Sequence, residues 1–196
     1  MEKPAVTDYS LLPVIRGRWS PRAFSGKRIP DKELYTLFEA ARWAPSCFND
    51  QPWYYVFAAR EDHGNFNRIL DSLVEKNRIW ARNASALAIS VARKNFSSRE
   101  RQNQYAFHDM GLSLMSMMLQ AISQGIYIHA MAGFSSEIAR ESLAIPEGYD
   151  PVTALAIGYP GDVDDLPEEL RDKELEERYR KPLEEFIFKG EWGGGI

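Results

Sequence analysis

From Gln104 to Gln124 the chain reads as one long helix whose apolar residues (Met110, Leu112, Leu114, Met115, Met117, Met118, Leu119 and Ile122) spread over most of its circumference. A helix that is apolar nearly all round must be buried nearly all round, because each face left in water forfeits its hydrophobic stabilisation. No other segment constrains the fold as much. The helix needs a sheet or other helices on several sides, and one protomer of 196 residues does not readily supply that cover. An obligate homodimer is therefore expected, with an interface above about 2,000 Å².

The remaining periodicities supply the other layers. Trp53 to Ala59 and Leu87 to Ala92 are rich in aromatic and β-branched residues and read as strands, as do Tyr127 to Met131 and Val152 to Gly158. Helices are expected over Asp8 to Arg16, from Pro30 and Asp31 with a stripe of Leu34, Leu37, Phe38 and Ala41, over Phe66 to Lys76, and near Ser136 to Leu143. Strands interleaved with helices predict a three-layer α/β (α+β) arrangement with a central mixed sheet of about four to five strands. A single domain over residues 1 to 196 follows from the length. Residues 161 to 177 carry nine acidic side chains and read as a solvated connection, after which RYRKPLEEFIFKGEW regains apolar residues and reads as a tail that packs on another subunit.

Charge and cysteine usage narrow the function. A formal net charge of -4 argues against general affinity for nucleic acid or anionic membrane. Cys47 is the only cysteine, which excludes an intramolecular disulfide and a Cys-rich metal site and suits a reducing cytoplasm. The N-terminus has no apolar signal region, and no stretch approaches membrane-spanning length. No dinucleotide fingerprint, Walker loop, Gly-x-Ser-x-Gly elbow or His-Glu-x-x-His is present, and His63, His108 and His129 read as surface or satisfied core histidines.

Two segments remain that a simple scaffold does not require. In Arg18-Trp19-Ser20-Pro21-Arg22, Pro21 pushes Ser20 into extended backbone, so Arg18, Ser20 and Arg22 project from one side as a polar comb. At about 3.3 Å per residue the two arginines start roughly 13 Å apart, a spacing that suits an anion with a phosphate at one end and a polar ring at the other. Taken alone, these residues fit a solvated basic loop better. Between the second helix and the first strand, Ala44-Pro45-Ser46-Cys47-Phe48-Asn49-Asp50-Gln51-Pro52-Trp53 packs prolines, amides and aromatics together, a composition able to line a planar heterocycle.

In order, Arg-x-Ser-x-Arg-x-Phe, a helix, Ala-Pro-Ser-x-x-Asn-x-Gln-Pro-Trp before the first strand, and a late Arg-Lys-Pro-Leu-Glu-Glu resemble the nitroreductase-like FMN-dependent oxidoreductases along nearly the whole chain. The resemblance implies that Arg18, Trp19, Ser20 and Arg22 hold FMN, with Arg22 towards the pyrimidine edge of the flavin. It implies that Pro45, Ser46, Cys47 and Asn49 line the flavin from the partner protomer. Ala132 and Gly133 would form a small-residue turn under the ring, and Arg180 and Lys181, with Arg178 as a neighbour, would meet the phosphate. Ala132 stands where the family often carries a polar residue. Cys47 is given a lining role only, since one thiol cannot run a dithiol cycle.

By the same resemblance, electrons pass from NADH or NADPH to a small-molecule acceptor such as a nitroaromatic or quinone by a ping-pong mechanism. No catalytic acid or base is expected, because the chemistry belongs to the flavin. The implied fold is nitroreductase-like, with the 161 to 196 extension exchanged across the dimer. Flavin reduction, dehalogenation and flavin breakdown within the same family remain open alternatives, as does a non-catalytic flavin-binding protein.

Overall fold

The computed structural model describes residues 2 to 195. Its element order is α1 (Pro13–Gly17), α2 (Asp31–Arg42), β1 (Trp53–Ala59), α3 (His63–Ser72), α4 (Glu75–Ala81), β2 (Ala86–Arg93), α5 (Ala106–Ser123), β3 (Tyr127–Met131), α6 (Ser136–Ser142), β4 (Tyr149–Gly158) and α7 (Glu168–Leu175). The four strands form one sheet in the order β1-β2-β4-β3. Every pairing is antiparallel, so the expected mixed sheet is corrected to a purely antiparallel one.

One expected helix is also divided in two. Phe66 to Lys76 was expected to be continuous, but α3 and α4 are separated at Leu73 and Val74, whose backbone is extended. There the chain bridges Phe134, and the Val74 N–H donates to the Gly133 carbonyl. A tertiary contact thus overrides local helix propensity. β2 starts beside the end of β1, with Ala59 facing Ala86.

Two apolar clusters cover the two faces of the sheet. One gathers Phe66, Ile69, Trp80, Leu87, Ile89, Val91 and Ala139 beneath α3, α4 and α6. The other gathers Leu34, Leu37, Ala41, Ala88, Met117, Ala121, Leu155 and Ile157 beneath α2 and α5. The result is the expected three layers, and β2 is buried on both faces as a central strand should be.

Three boundaries differ from expectation. The helix expected from Asp8 starts only at Pro13, because a residue before proline is pushed out of the helical region, and Leu12 sits at φ -56 and ψ 140. β4 begins at Tyr149 rather than Val152, with Pro151 accommodated where the β2–β4 register shifts after Ser90. The stretch 161 to 177 is not merely a solvated connection. It forms α7, buries Leu166, and buries the side chain of Glu174 to 2% exposure.

The long helix α5 buries only one face within a single chain, through Ala106, Asp109, Met110, Ser113, Met117 and Ala121. Phe107 and Met115 on another face are exposed. Among the described residues no helix is long and apolar enough to cross a membrane.

Candidate functional site

The comb has the geometry its sequence implies. Trp19, Pro21 and Ala23 are buried while Arg18, Ser20 and Arg22 are partly exposed, the alternation of an extended segment lying on the protein. Trp19 meets Tyr127 of β3 edge to face, with centroids 6.1 Å apart. Its side chain is buried in the interior, and its backbone lies within the comb. Phe24 continues the segment inward and stacks on Trp80.

Two buried groups hold the turn at Pro21. The His129 Nδ1 lies 2.9 Å from the Pro21 carbonyl oxygen, to which it donates, and the imidazole packs on Trp80. Burial pushes the His129 pKa down to about 4, with the Arg22 and Arg18 charges adding to the fall and the carbonyls of Pro21 and Ser20 opposing it. At neutral pH this histidine is an uncharged donor. From the other side, Glu174 Oε1 accepts the N–H of Arg22 at 2.8 Å and of Ala23 at 3.1 Å. Its Oε2 lies 3.7 Å from the Arg22 guanidinium.

The late basic residues meet the start of the comb. Arg18 is held below its ordinary range by burial and then by the charges of Arg178 and Arg180. Arg178 is likewise lowered by burial and by Arg180. Three guanidinium groups, from segments more than 150 residues apart, thus lie within electrostatic reach of one another, with Arg178 on the Arg16 carbonyl at 3.0 Å. None of them has a carboxylate within 4.0 Å among the described residues. Repulsion of this kind is offset when an anion sits among the cations. Arg178 is anchored by donating to the carbonyls of Lys3 and Arg16. Lys181 turns elsewhere and pairs with Glu185 at 3.5 Å.

The loop before β1 is built with unusual care for a connection. Phe48, Asn49 and Gln51 have φ of 53, 55 and 49, the left-handed region in which each such residue costs about 1–3 kcal/mol. Two acids hold it there. Asp50 Oδ1 accepts the N–H and hydroxyl of Ser97, and Oδ2 accepts from Arg93 at 2.9 Å and Asn103 at 3.3 Å. Burial alone would raise the Asp50 pKa, but the Ser97 and Arg93 contacts outweigh it and keep the carboxyl below its usual range. Asp109, on α5, accepts the N–H of Cys47 at 2.9 Å. Ser46 Oγ accepts the N–H of Gln51. Pro45 and Asn49 stay exposed at the surface, and Ser46 and Cys47 are half-buried.

Ala132 and Gly133 form the turn after β3. Ala132 is exposed, and Gly133 is pressed against α4, where an added Cβ would come within 2.6 Å of the Asn77 amide and 2.9 Å of Val74. Among the expected site residues, Arg18 and Ser20 touch, at 3.4 Å, and the charges of Arg178 and Arg180 reach Arg18. The loop 45 to 49 does not join them in one chain. It leads into β1, the comb lies along β3, and the sheet order sets these at opposite edges, three strand spacings or about 14 Å apart.

Glu174, Asp50 and Asp109 were not singled out in the sequence, whereas His129 is the satisfied core histidine that was expected. Asp109 sits in an apolar run that hides it. Asp50 and Glu174 sit among polar neighbours, and only their burial distinguishes them. Among the described residues no cluster suited to a metal ion occurs.

Comparison with known proteins agrees with the geometry. The model of the Nitroreductase family matches residues 15–159. A solved structure described as an oxidoreductase containing FMN is 34% identical, covers 96% of each chain, and superposes with a TM-score of 0.92. A nitroreductase family protein from Clostridium difficile 630, 20% identical and covering 94% of this chain and 100% of its own, shares the fold with a TM-score of 0.73. An uncharacterized 15.4 kDa protein in the ask 5′ region of Mycolicibacterium smegmatis is 32% identical over 127 residues, 65% of this chain and 84% of its own length. An Archaeoglobus fulgidus protein provisionally named NADH dehydrogenase/NAD(P)H nitroreductase is 27% identical over 80% of this chain and 89% of its own. With the family match spanning most of the chain, this protein belongs to the Nitroreductase family.

Proposed function

We propose that this chain is an FMN-dependent oxidoreductase that passes electrons from NADH or NADPH to a small acceptor such as a nitroaromatic or a quinone. The observation that carries the proposal is that Arg18 lies beside Ser20, that Arg178 donates to the Arg16 carbonyl at 3.0 Å, and that the Arg178 and Arg180 charges reach Arg18 with no carboxylate within 4.0 Å among the described residues, a setting that fits a phosphate dianion. Arg18 and Ser20, with Arg178 and Arg180, would hold the phosphate and ribityl end. Arg22, further along the comb, would face the pyrimidine edge, and Ala132 and Gly133 would leave room beneath the ring. Lys181 would contribute through charge alone. When bound, FMN supplies acceptance and donation of hydride, and the protein contributes orientation and a cationic field that favours the reduced state. The FMN-containing relative supports the choice of cofactor, and the Archaeoglobus fulgidus protein's name supports the donor.

The site is proposed to be completed by a second copy of the chain. Pro45, Ser46, Cys47 and Asn49 stand at the far edge of the sheet from the comb, so only a partner's loop can reach a cofactor held there. The exposed Phe107 and Met115 on α5, and Tyr179, Phe186 and Trp192 in the extension, offer apolar surface for that homodimer. The free Cys47 thiol suits a reducing compartment, and we place the protein in the cytoplasm.

Purified protein should be yellow and release FMN on denaturation. Arg18→Ala should weaken FMN binding by about 10 to 150-fold, the loss of one charged hydrogen-bond partner. A colourless protein that takes up no added FMN would overturn the proposal. Initial rates at several acceptor concentrations should give parallel double-reciprocal lines, because donor and acceptor take turns in one slot. FMN that binds but is not bleached by NADH or NADPH under anaerobic conditions would favour a flavin-binding protein without turnover.

A further inference from the structure

The acidic stretch from 161 to 177 holds nine carboxylates, and eight of them are exposed. Glu174 alone is buried, at 2% exposure. Burying a carboxylate costs several kcal/mol unless its charge is matched. The site that receives this one is the turn carrying the cationic comb. Its Oε1 takes two successive backbone N–H groups, of Arg22 and Ala23, and so fixes where the Arg22 side chain begins. Its Oε2 makes no hydrogen bond among the described residues and faces the Arg22 guanidinium at 3.7 Å.

The backbone of Glu174 ties in the other half of the site. The Lys3 ammonium donates to the Glu174 carbonyl at 2.7 Å, and the Lys3 carbonyl in turn accepts from Arg178 at 2.7 Å. The segment that delivers Arg178 and Arg180 is thus joined to the one that delivers Arg18 and Arg22. We propose that Glu174 is a positioning residue of the flavin site, acting through Arg22. It holds the Arg22 backbone in place, and its negative charge sets how much of the Arg22 charge is felt at the pyrimidine edge. This proposal rests on the FMN reading above.

The two roles separate by substitution. Glu174→Gln keeps an oxygen for the two amides but removes the charge, so Arg22 should favour reduced over oxidised FMN by a further 3 to 10-fold. That corresponds to an upward shift of roughly 15–30 mV for a two-electron couple, at about 30 mV per tenfold. Glu174→Ala also strips the amides of their acceptor. In apo protein it should expose the Arg22–Ala23 bond and speed tryptic cleavage there at least tenfold, while Glu174→Gln should not.

The decisive measurement is the midpoint potential of bound FMN for Glu174→Gln, alone and combined with Arg22→Ala. An upward shift that vanishes in the Arg22→Ala background supports action through Arg22. An equal shift in both backgrounds, or no shift in a Glu174→Gln protein that binds FMN, would overturn it. Unchanged tryptic cleavage in Glu174→Ala would overturn the anchoring role. Wild-type protein that takes up no FMN would instead overturn the cofactor reading itself, and the proposal with it.

Discussion

Replacing His129 tests whether the turn beneath the comb depends on a neutral imidazole. In the folded chain its pKa is pushed down to about 4 from 6.5, chiefly by burial. Below pH 6.5 the unfolded chain therefore takes up a proton that the native chain refuses, and stability falls with pH until the native imidazole protonates as well, near pH 4. At about 1.36 kcal/mol per pKa unit the whole window is worth roughly 3 kcal/mol, of which about 2 kcal/mol is lost by pH 5. In urea, with a slope of about 2 kcal/mol per molar, that is a midpoint lower by roughly 1 M. His129→Gln can still donate to the Pro21 carbonyl but does not titrate. Urea unfolding followed from pH 7.5 to 5, at fixed protein concentration, should thus show a steeper acid loss in wild type than in the variant. Carboxylates shared by both proteins cancel in the difference. Identical acid limbs, or an imidazole proton resonance assigned to His129 that titrates near pH 6.5, would refute the argument.

Two further substitutions probe the frame around the site. Asp50→Ala leaves Arg93 without its buried partner and frees three left-handed residues, so it should lower stability by about 3–5 kcal/mol in denaturant titration; a loss below about 1 kcal/mol would mean that the loop holds itself. Gly161→Ala would bring a Cβ to 2.6 Å from the Phe24 carbonyl carbon and 2.8 Å from the Ser25 nitrogen, backbone that cannot rotate away. It should cost about 1–3 kcal/mol by forcing the strip behind the comb outward, and an unchanged thermal midpoint would contradict that.

The comb was legible because its cause is local. Pro21 and alternation along an extended segment are properties of neighbouring residues, and Arg18, Ser20 and Arg22 do project together. Trp53 to Ala59 and Tyr127 to Met131 were legible as strands for the same reason, since side-chain shape and alternation act residue by residue. Trp19 shows the limit. Its place beside the arginines said nothing of which way the indole points, and Tyr127 decides that.

The sequence by itself determined the layers and the extended polar comb, because periodicity and φ restriction are written into short stretches. Tertiary structure alone decided that the sheet is antiparallel and that helix α3 ends before Leu73, where the Gly133 carbonyl takes the Val74 amide. It alone decided that Glu174, of nine acids, is the one buried, and that Arg178 reaches Arg18 rather than a carboxylate. Burial and charge pairing depend on what the rest of the chain brings alongside, and no local pattern carries that information.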